Sequence, residues 1–470
     1  MKRKTTAGVG PANTGNRKRG ERRSIDMLHG PLAGKILLFA LPLAITGILQ
    51  QLFNTADVAI VGHYVGSDAM AAVGSNAPVI GLLVNLFVGI SLGANVVISQ
   101  MTGQGNRSGI SRAVHTAILV ALLSGCGIAL LGQAVAGPML RLMGVPESVF
   151  PLSLSYLRIY LAGMPIIFLY NYEAAIYRSQ GDTRTPLICL MLAGVINVGL
   201  NLFFVRVLGM SANGVALATV ISNGASALWL LIGLLRTDGP TRLSFSSLRI
   251  DRAILRRMLR IGVPTGMQGM VFSISNILIQ SAINSLGAEI MAASSAAFNM
   301  EIFVYYVLNA FGQACTTFTG QNVGAGQRER CRSVLRWSLL LSFILTAGLG
   351  IALGIFRYPI MQIFSDNETV LYYGAVRILI VATLQPINML IETFSGSLRG
   401  YGHATLPALV TVFGICGTRI LWILTVFRLY PTFNALMIVY PVSWTVTASV
   451  LLFHFMRIRK EMFSPLPAGS

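Results

Sequence analysis

Charge is scarce in this chain. Asp, Glu, Lys and Arg make up 11% of its 470 residues, where a soluble domain carries about 25%. A chain so poor in charge cannot cover a water-facing surface, which excludes an ordinary soluble globular protein. Acidic residues are fewest, 16 against 35 Lys and Arg, for a formal net charge of +19. The basic residues sit in the tails and in alternate loops without interleaved aromatics, a pattern that excludes nucleic acid as a partner. Cysteine is also sparse. Cys126, Cys189, Cys315, Cys331 and Cys416 are scattered with no Cys-x-x-Cys pair, so they read as small packing residues rather than ligands or disulfides. The five histidines, His29, His63, His115, His403 and His454, are dispersed. No clustered nucleophile–base or metal set emerges, so neither an enzyme nor a cofactor or metal centre is expected. The first 34 residues lack the apolar core of a signal peptide and read as a disordered basic tail.

What is abundant is apolar. Hydrophobic residues reach 54%, with 48 glycines and 18 prolines, and mean hydropathy is +0.69. Kinked membrane helices tolerate both glycine and proline better than soluble ones do. Runs of about 20 apolar residues can cross a bilayer. Twelve are expected, near 35–62, 69–99, 112–136, 153–177, 185–206, 213–235, 257–284, 290–319, 333–356, 373–398, 405–428 and 434–456. They divide the chain into a cytoplasmic tail (1–34), a six-helix bundle (35–236), a cytoplasmic linker (237–254), a second six-helix bundle (255–457) and a short cytoplasmic tail (458–470). Most Lys and Arg fall in the tails, the linker and the even-numbered loops. The other side carries only Arg141, Arg158, Arg206, Arg357, Arg377 and Arg428. By the positive-inside rule both termini are cytoplasmic, in the cell's inner or plasma membrane.

The two halves repeat each other. Pro42, Asn54, Gln100, Gly103, Gly105, Arg107, Glu147, Pro165, Arg178, Gly181 and Pro186 recur 221 or 222 residues later as Pro264, Asn276, Gln321, Gly324, Gly326, Arg328, Glu368, Pro386, Arg399, Gly402 and Pro407. Six helices per copy is an even number, so both copies enter from the same side. The fold class is therefore an all-α integral membrane protein, with twelve transmembrane helices in two bundles related as parallel repeats about the membrane normal. The segments Gly103–Arg107 and Gly324–Arg328 read as helix C-terminal turns, with Arg at the negative dipole end. Arg178–Pro186 and Arg399–Pro407 read as tight turns that start new helices with Pro in the first turn.

These features together resemble the multidrug and toxic compound extrusion (MATE) family of antiporters, across nearly the whole chain from about Gly34 to Arg457. The resemblance rests on Asn54-x-x-Asp57 with Gly62 and Gly66, the paired Gly-x-Gly-[Asn/Gln]-Arg segments and the paired Arg-x-x-Gly-x-x-x-x-Pro turns. The stretch Ser273-Ile274-Ser275-Asn276 lacks the acid of the NorM-type branch, which places the chain closer to the DinF-type branch.

A carboxylate inside a bilayer costs several kcal/mol unless paired, hydrated or protonated, and is a functional candidate by default. Asp57, Glu173, Glu301 and Glu392 qualify. Asp57 has no acidic counterpart in the second copy, so packing symmetry does not require it. The resemblance implies that it binds the coupling cation, H⁺ or Na⁺, in company with Asn197, Asn201 and Thr219. Asn197 and Asn201 lie one turn apart and share a face. The family often has Asp at the place of Asn201, so the second charge is missing here. Glu173 and Glu392 are expected to pair with Arg178 and Arg399 or to snorkel. Glu301 faces either the cleft or a partner such as Arg419. Gln50, Asn54, Asn171, Gln268, Asn276 and Glu301 are the candidates for the substrate cleft. Tyr156, Tyr160, Phe168, Tyr170, Tyr172, Phe303, Tyr305 and Tyr306, with Met164, Met267, Met270 and Met300, either line a cavity for flat cations or simply pack.

The expected function is secondary active efflux by alternating access, exchanging lipophilic cationic drug-like compounds for H⁺ or Na⁺ in a monomer surrounded by lipid. A lipid-linked saccharide flippase is the alternative within transport. A membrane-embedded enzyme or a receptor is the alternative from other classes.

Overall fold

The computed structural model describes residues 24–463. The expected tail segments 1–23 and 464–470 lie outside the described residues, among which there is no β-strand. Twelve spans follow one another: α1 Leu32–Tyr64, α2 Ser67–Gly103, α3 Arg107–Leu142, α4 with its halves Phe150–Ala162 and Met164–Ser179, α5 Arg184–Val207, α6 Ala212–Arg236, α7 Arg252–Asn284, α8 Ala288–Gly324, α9 Arg328–Ile355, α10 Glu368–Gly400, α11 Thr405–Phe427 and α12 Phe433–Phe463. The halves of α4 bend by 47° around Gly163, with Pro165 opening the second half. Pro cannot continue the hydrogen-bond ladder, which is why the break falls there.

Ten of these helices are long and apolar enough to cross a membrane, and the bent α4 makes an eleventh. The span that falls short is α7. Its 33 residues extend about 50 Å against a hydrocarbon core of about 30 Å, so length is not the cause. Arg252, Arg256, Arg257 and Arg260 crowd its start, and Gln268, Ser273, Ser275, Asn276 and Gln280 follow. Thr265, Gln268 and Asn276 line cavities inside the molecule, so these polar groups within the span face protein and not lipid. Elsewhere the outer surface is apolar, with Leu130, Leu131, Phe413, Leu421 and Leu424 all exposed. Such a surface is stable only in lipid.

The first helix of each half crosses to the other half. The start of α1 (Leu32, Ile36, Phe39, Ala40) shares one core with Phe311 and Phe318 of α8, Val334 of α9 and Phe394 of α10. Phe39 meets Phe318 edge-on at 5.6 Å. Likewise Ile254, Met258 and Ile261 of α7 join the core of α2, α3 and α4. Glycines permit this: a Cβ on Gly89, Gly93, Gly262 or Gly266 would overlap the backbone of the facing helix.

At the end that carries the repeated loop motifs, the halves seal against each other reciprocally. Gln100 Nε2 donates to Gly400 O at 2.9 Å, and its repeat mate Gln321 donates to Ser179 O at 2.7 Å. A Cβ on Gly103 would overlap the carbonyl of Gln321, and one on Gly324 the carbonyl of Gln100. The following Gly105 and Gly326 make the left-handed turns, at φ 67° and 71°. Arg107 and Arg328 open the next helices instead of closing the previous ones; before Arg107, Asn106 Oδ1 caps α3 at Gly109 N.

Part of the expected tail is ordered here. Ile25 N donates to Gly181 O at 3.1 Å. Met27 is buried, and its carbonyl accepts from Asn322 Nδ2 at 3.2 Å and Arg330 Nε at 3.1 Å. Residues 24–31 thus strap one half to the other. The linker is docked as well: Ser244 N donates to His115 Nε2 at 3.1 Å, and Arg112 pairs with Asp251 at 2.9 Å. Asp251 caps α7, and the amides of Ile254 and Ala253, together with Arg112, hold its carboxyl below the usual carboxylate range.

Candidate ion site and central cavities

Asp57 lies in the second half of α1, where that helix has left the opposite bundle and packs on α5 and α6 of its own. It is buried, 6% exposed. Asn201 Nδ2 donates to Asp57 Oδ1 at 2.5 Å, and Thr219 Oγ1 to Oδ2 at 3.2 Å. Asn201 Nδ2 also reaches Asn197 Oδ1 at 3.3 Å, and Asn197 Nδ2 reaches Thr219 Oγ1 at 3.4 Å. All four residues singled out in the sequence therefore form one cluster. The i,i+4 spacing of the two asparagines on α5 puts both amides on the α1 side, and a π-helical turn, Phe203–Val207, ends that helix just beyond them.

Asn201 Oδ1 is buried without a hydrogen-bond partner. Turned over, this amide would present an acceptor to a protonated Asp57, whereas the arrangement seen presents a donor to the carboxylate. The cluster thus has a hydrogen-bonding pattern for each protonation state. It also gathers oxygens from a carboxylate, two amides and a hydroxyl, the ligand type a hard cation prefers.

There are also two cavities. One of about 160 Å³ sits between the halves, walled by Asn85, Gly89 and Arg178 from the first and Gln268, Asn309, Glu392 and Arg399 among others from the second. A second, of about 80 Å³, lies within the second half among Phe272, Asn276, Glu301, Arg419, Tyr440 and Trp444. Of the cleft candidates, Gln268 borders the first cavity, and Asn276 and Glu301 the second. Gln50 and Asn54 are exposed on α1 outside both cavities. Asn171 donates to Ile167 O at 2.8 Å within its own helix.

Glu301 has a partner other than the expected Arg419. Arg377 grips it with Nη2 on Oε1 at 2.5 Å and Nε on Oε2 at 3.2 Å, both side chains buried. Charge distribution had put Arg377 on the outer side. In fact α10 carries it into the span, one residue before a π-helical turn at Ile378–Ala382. Removing one member of a buried pair costs about 3–5 kcal/mol. Glu301→Gln is therefore expected to lower the thermal midpoint of the detergent-purified protein clearly, and an unchanged midpoint would show the pair to be dispensable.

The carboxylates near the sealed end diverge. Glu392 pairs with Arg399 at 3.2 Å. Glu173, two positions out of register with it, does not follow: both its carboxyl oxygens are buried without a hydrogen-bond partner, and Arg178 instead donates to Gln313 Oε1 across the halves at 3.2 Å. Most of the aromatic set packs. Tyr156, Phe168, Tyr170, Tyr172 and Met164 are buried in bundle cores, while Tyr305 borders both cavities.

Two pseudo-repeated helix bundles sealed at one end, with a cavity between them and a buried acid in the first, define a multi-pass membrane transporter. The MatE family model matches residues 42–203 and 264–424, one match in each half, and the chain belongs to that family of ion-coupled efflux antiporters. It is 30% identical over 392 residues to the probable multidrug resistance protein YoeA of Bacillus subtilis, covering 82% of this chain and 84% of that protein. It is 27% identical over 396 residues to an FAD transporter of Shewanella oneidensis, covering 82% and 85%. The fold matches the outward-facing conformation of a multidrug resistance MATE family transporter with a TM-score of 0.85 at 21% identity, covering 95% of this chain and 99% of that one. The protein is a transporter and not an enzyme, and it drives small molecules across the membrane.

Proposed function

We propose that this protein exports flat, lipophilic small molecules from the cell in exchange for H⁺ or Na⁺, with Asp57 as the seat of the ion. The observation that carries the reading is the company of Asp57: a buried carboxylate on α1, held by Asn201 and Thr219 and backed by Asn197. Packing alone does not call for an acid there, since the second half has none at this place. This N-terminal site, with no acid in Ser273–Asn276, favours the DinF-type branch. The relatives' names support small organic cargo.

α1 is the mechanical link. Its first half belongs to the core of the opposite bundle, and its second half carries Asp57 against α5 and α6. An ion arriving at Asp57 repacks that second half and so acts on the seal between the bundles. The sealed, basic end is the cytoplasmic one, with both termini on that side, so the conformation described is open toward the outside. The transporter acts as a monomer. Substrate binds when the seal opens, and ion binding then disfavours substrate, an antagonism that linkage makes mutual.

The test is a proteoliposome assay with imposed proton or sodium gradients. Uptake of ethidium or norfloxacin driven by one of those gradients is expected. Transport indifferent to both would overturn the coupling.

A further inference from the structure

The cavity of the second half is bordered by polar groups that the ion mechanism does not use. Arg419 on α11 is 1% exposed. Its Nη1 donates to Asn276 Oδ1 at 2.8 Å, and its Cζ lies 4.5 Å from the ring centre of Tyr440 and 5.3 Å from that of Phe272. Nε and Nη2 have no hydrogen-bond partner, and neither does Nε1 of Trp444 on the same cavity wall. Every unpartnered buried side-chain atom along this wall is thus a donor. Polar groups stripped of water and left unpaired are costly, so a purely structural role leaves this arrangement unexplained.

Nε and Nη2 share one edge of the guanidinium, the fork that matches the two oxygens of a carboxylate. The neighbouring Arg377 shows the same fork in use, with Nε and Nη2 both on Glu301. Glu301 is thereby committed, and Arg377 and Arg419 together outnumber it by one positive charge. One anionic group would balance the cluster. The rings that might have received a cation are engaged already: Arg377 lies over Phe298 and Tyr440, and Arg419 over Tyr440 and Phe272. Phe272 also borders the larger cavity, so its ring stands between Arg419 and the space between the bundles. Two π-helical turns, Val412–Gly417 and Ile423–Phe427, flank the short α-helical stretch that carries Arg419, a distortion often found at functional sites.

We propose that this cavity is an organic-anion subsite, in which the Nε–Nη2 edge of Arg419 receives the carboxylate of a flat aromatic substrate. The substrate ring lies among Phe272, Tyr440 and Trp444, with Phe272 turning aside to admit it. This assignment rests on the efflux reading and names a chemical class for its cargo.

The test is equilibrium dialysis of the purified full-length protein in detergent, against protein-free micelles, with three probes of one shape: 2-naphthoate, the uncharged 2-naphthamide and 2-naphthylmethylammonium. Naphthoate is expected to bind at least about tenfold more tightly than the amide, since each charge-assisted bond is roughly twice as strong as a neutral one. Arg419→Lys keeps the charge but loses the fork, and should abolish most of that preference, weakening naphthoate more than the amide. Trp444→Phe should reduce the preference to a smaller degree. Equal affinity for acid and amide, preference for the ammonium, or no naphthoate binding at all overturns the proposal. The wild-type ratio decides even if a variant does not fold. If the ammonium is preferred while gradient-driven export of cations persists, the anion subsite fails and the efflux reading stands.

Discussion

An Asp57→Asn protein is expected to fold, reach the membrane in normal amount and lose coupled export, leaving ethidium or norfloxacin accumulation at the level of cells without the transporter. The side chains are nearly isosteric. The Asn201 amide and the Thr219 hydroxyl can each still find an oxygen or a nitrogen to pair with, so the buried cluster stays satisfied and the fold is spared. What disappears is the ability to exist in a charged and a neutral form, or to hold a cation with a full negative charge. Without that difference the ion has no differential affinity for the two conformations, and a ligand with equal affinity for both shifts nothing. Wild-type efflux from cells expressing the variant would remove Asp57 from the mechanism.

The second large effect is expected at the seal. Gly103→Ala and Gly324→Ala place a methyl group against the carbonyls of Gln321 and Gln100, backbone atoms that cannot move aside as a side chain would. Overpacking of this kind costs about 1–3 kcal/mol per site. The cost falls only on the conformation in which these helix ends touch. Two substitutions should therefore shift the population toward the state open at this end by a factor of about 30 or more. Spin labels on exposed residues of the Gly105 and Gly326 turns would report longer distances in the double variant, and transport would fall although the ion site is untouched. Unchanged distances with full transport would mean that these glycines are a packing convenience and not part of a gate.

Much of this was legible in the sequence, and the reasons differ by feature. The repeat displaced by 221 or 222 residues survives because paired glycines, prolines and polar residues serve the same turn or the same contact in each half, as Gln100 and Gln321 do. The cluster at Asp57 was legible through the family resemblance, which implies polar company for the α1 acid, while helical spacing showed that Asn197 and Asn201 share a face. Arg377 was misplaced because loop-charge counting treats an arginine near the end of an apolar run as solvent-facing. Only tertiary packing reveals that Glu301, 76 positions away along the chain, draws it inside. The same limit hid the strap of residues 24–31. Its anchors are backbone carbonyls taken by Asn322 and Arg330, and backbone partners leave no pattern in composition. Glu173 and Glu392 stand at different distances before the equivalent Arg178 and Arg399, so the repeat register sets them two positions apart and on different helix faces, and only Glu392 is paired.

The halves differ in their buried polar groups. The first half holds Asp57 with amide and hydroxyl partners, and the second the Arg377–Glu301 pair and a further arginine. α1 joins the two, seated at one end in the core of the second half and at the other in the Asp57 cluster of the first. The most direct measurement is norfloxacin affinity of the purified protein, titrated with protons and with sodium, in wild type and in Asp57→Asn. One of the two ions should weaken norfloxacin binding to the wild type and leave the variant's affinity flat. An ion response of equal size in both proteins, or none in either, would contradict a driving site on α1.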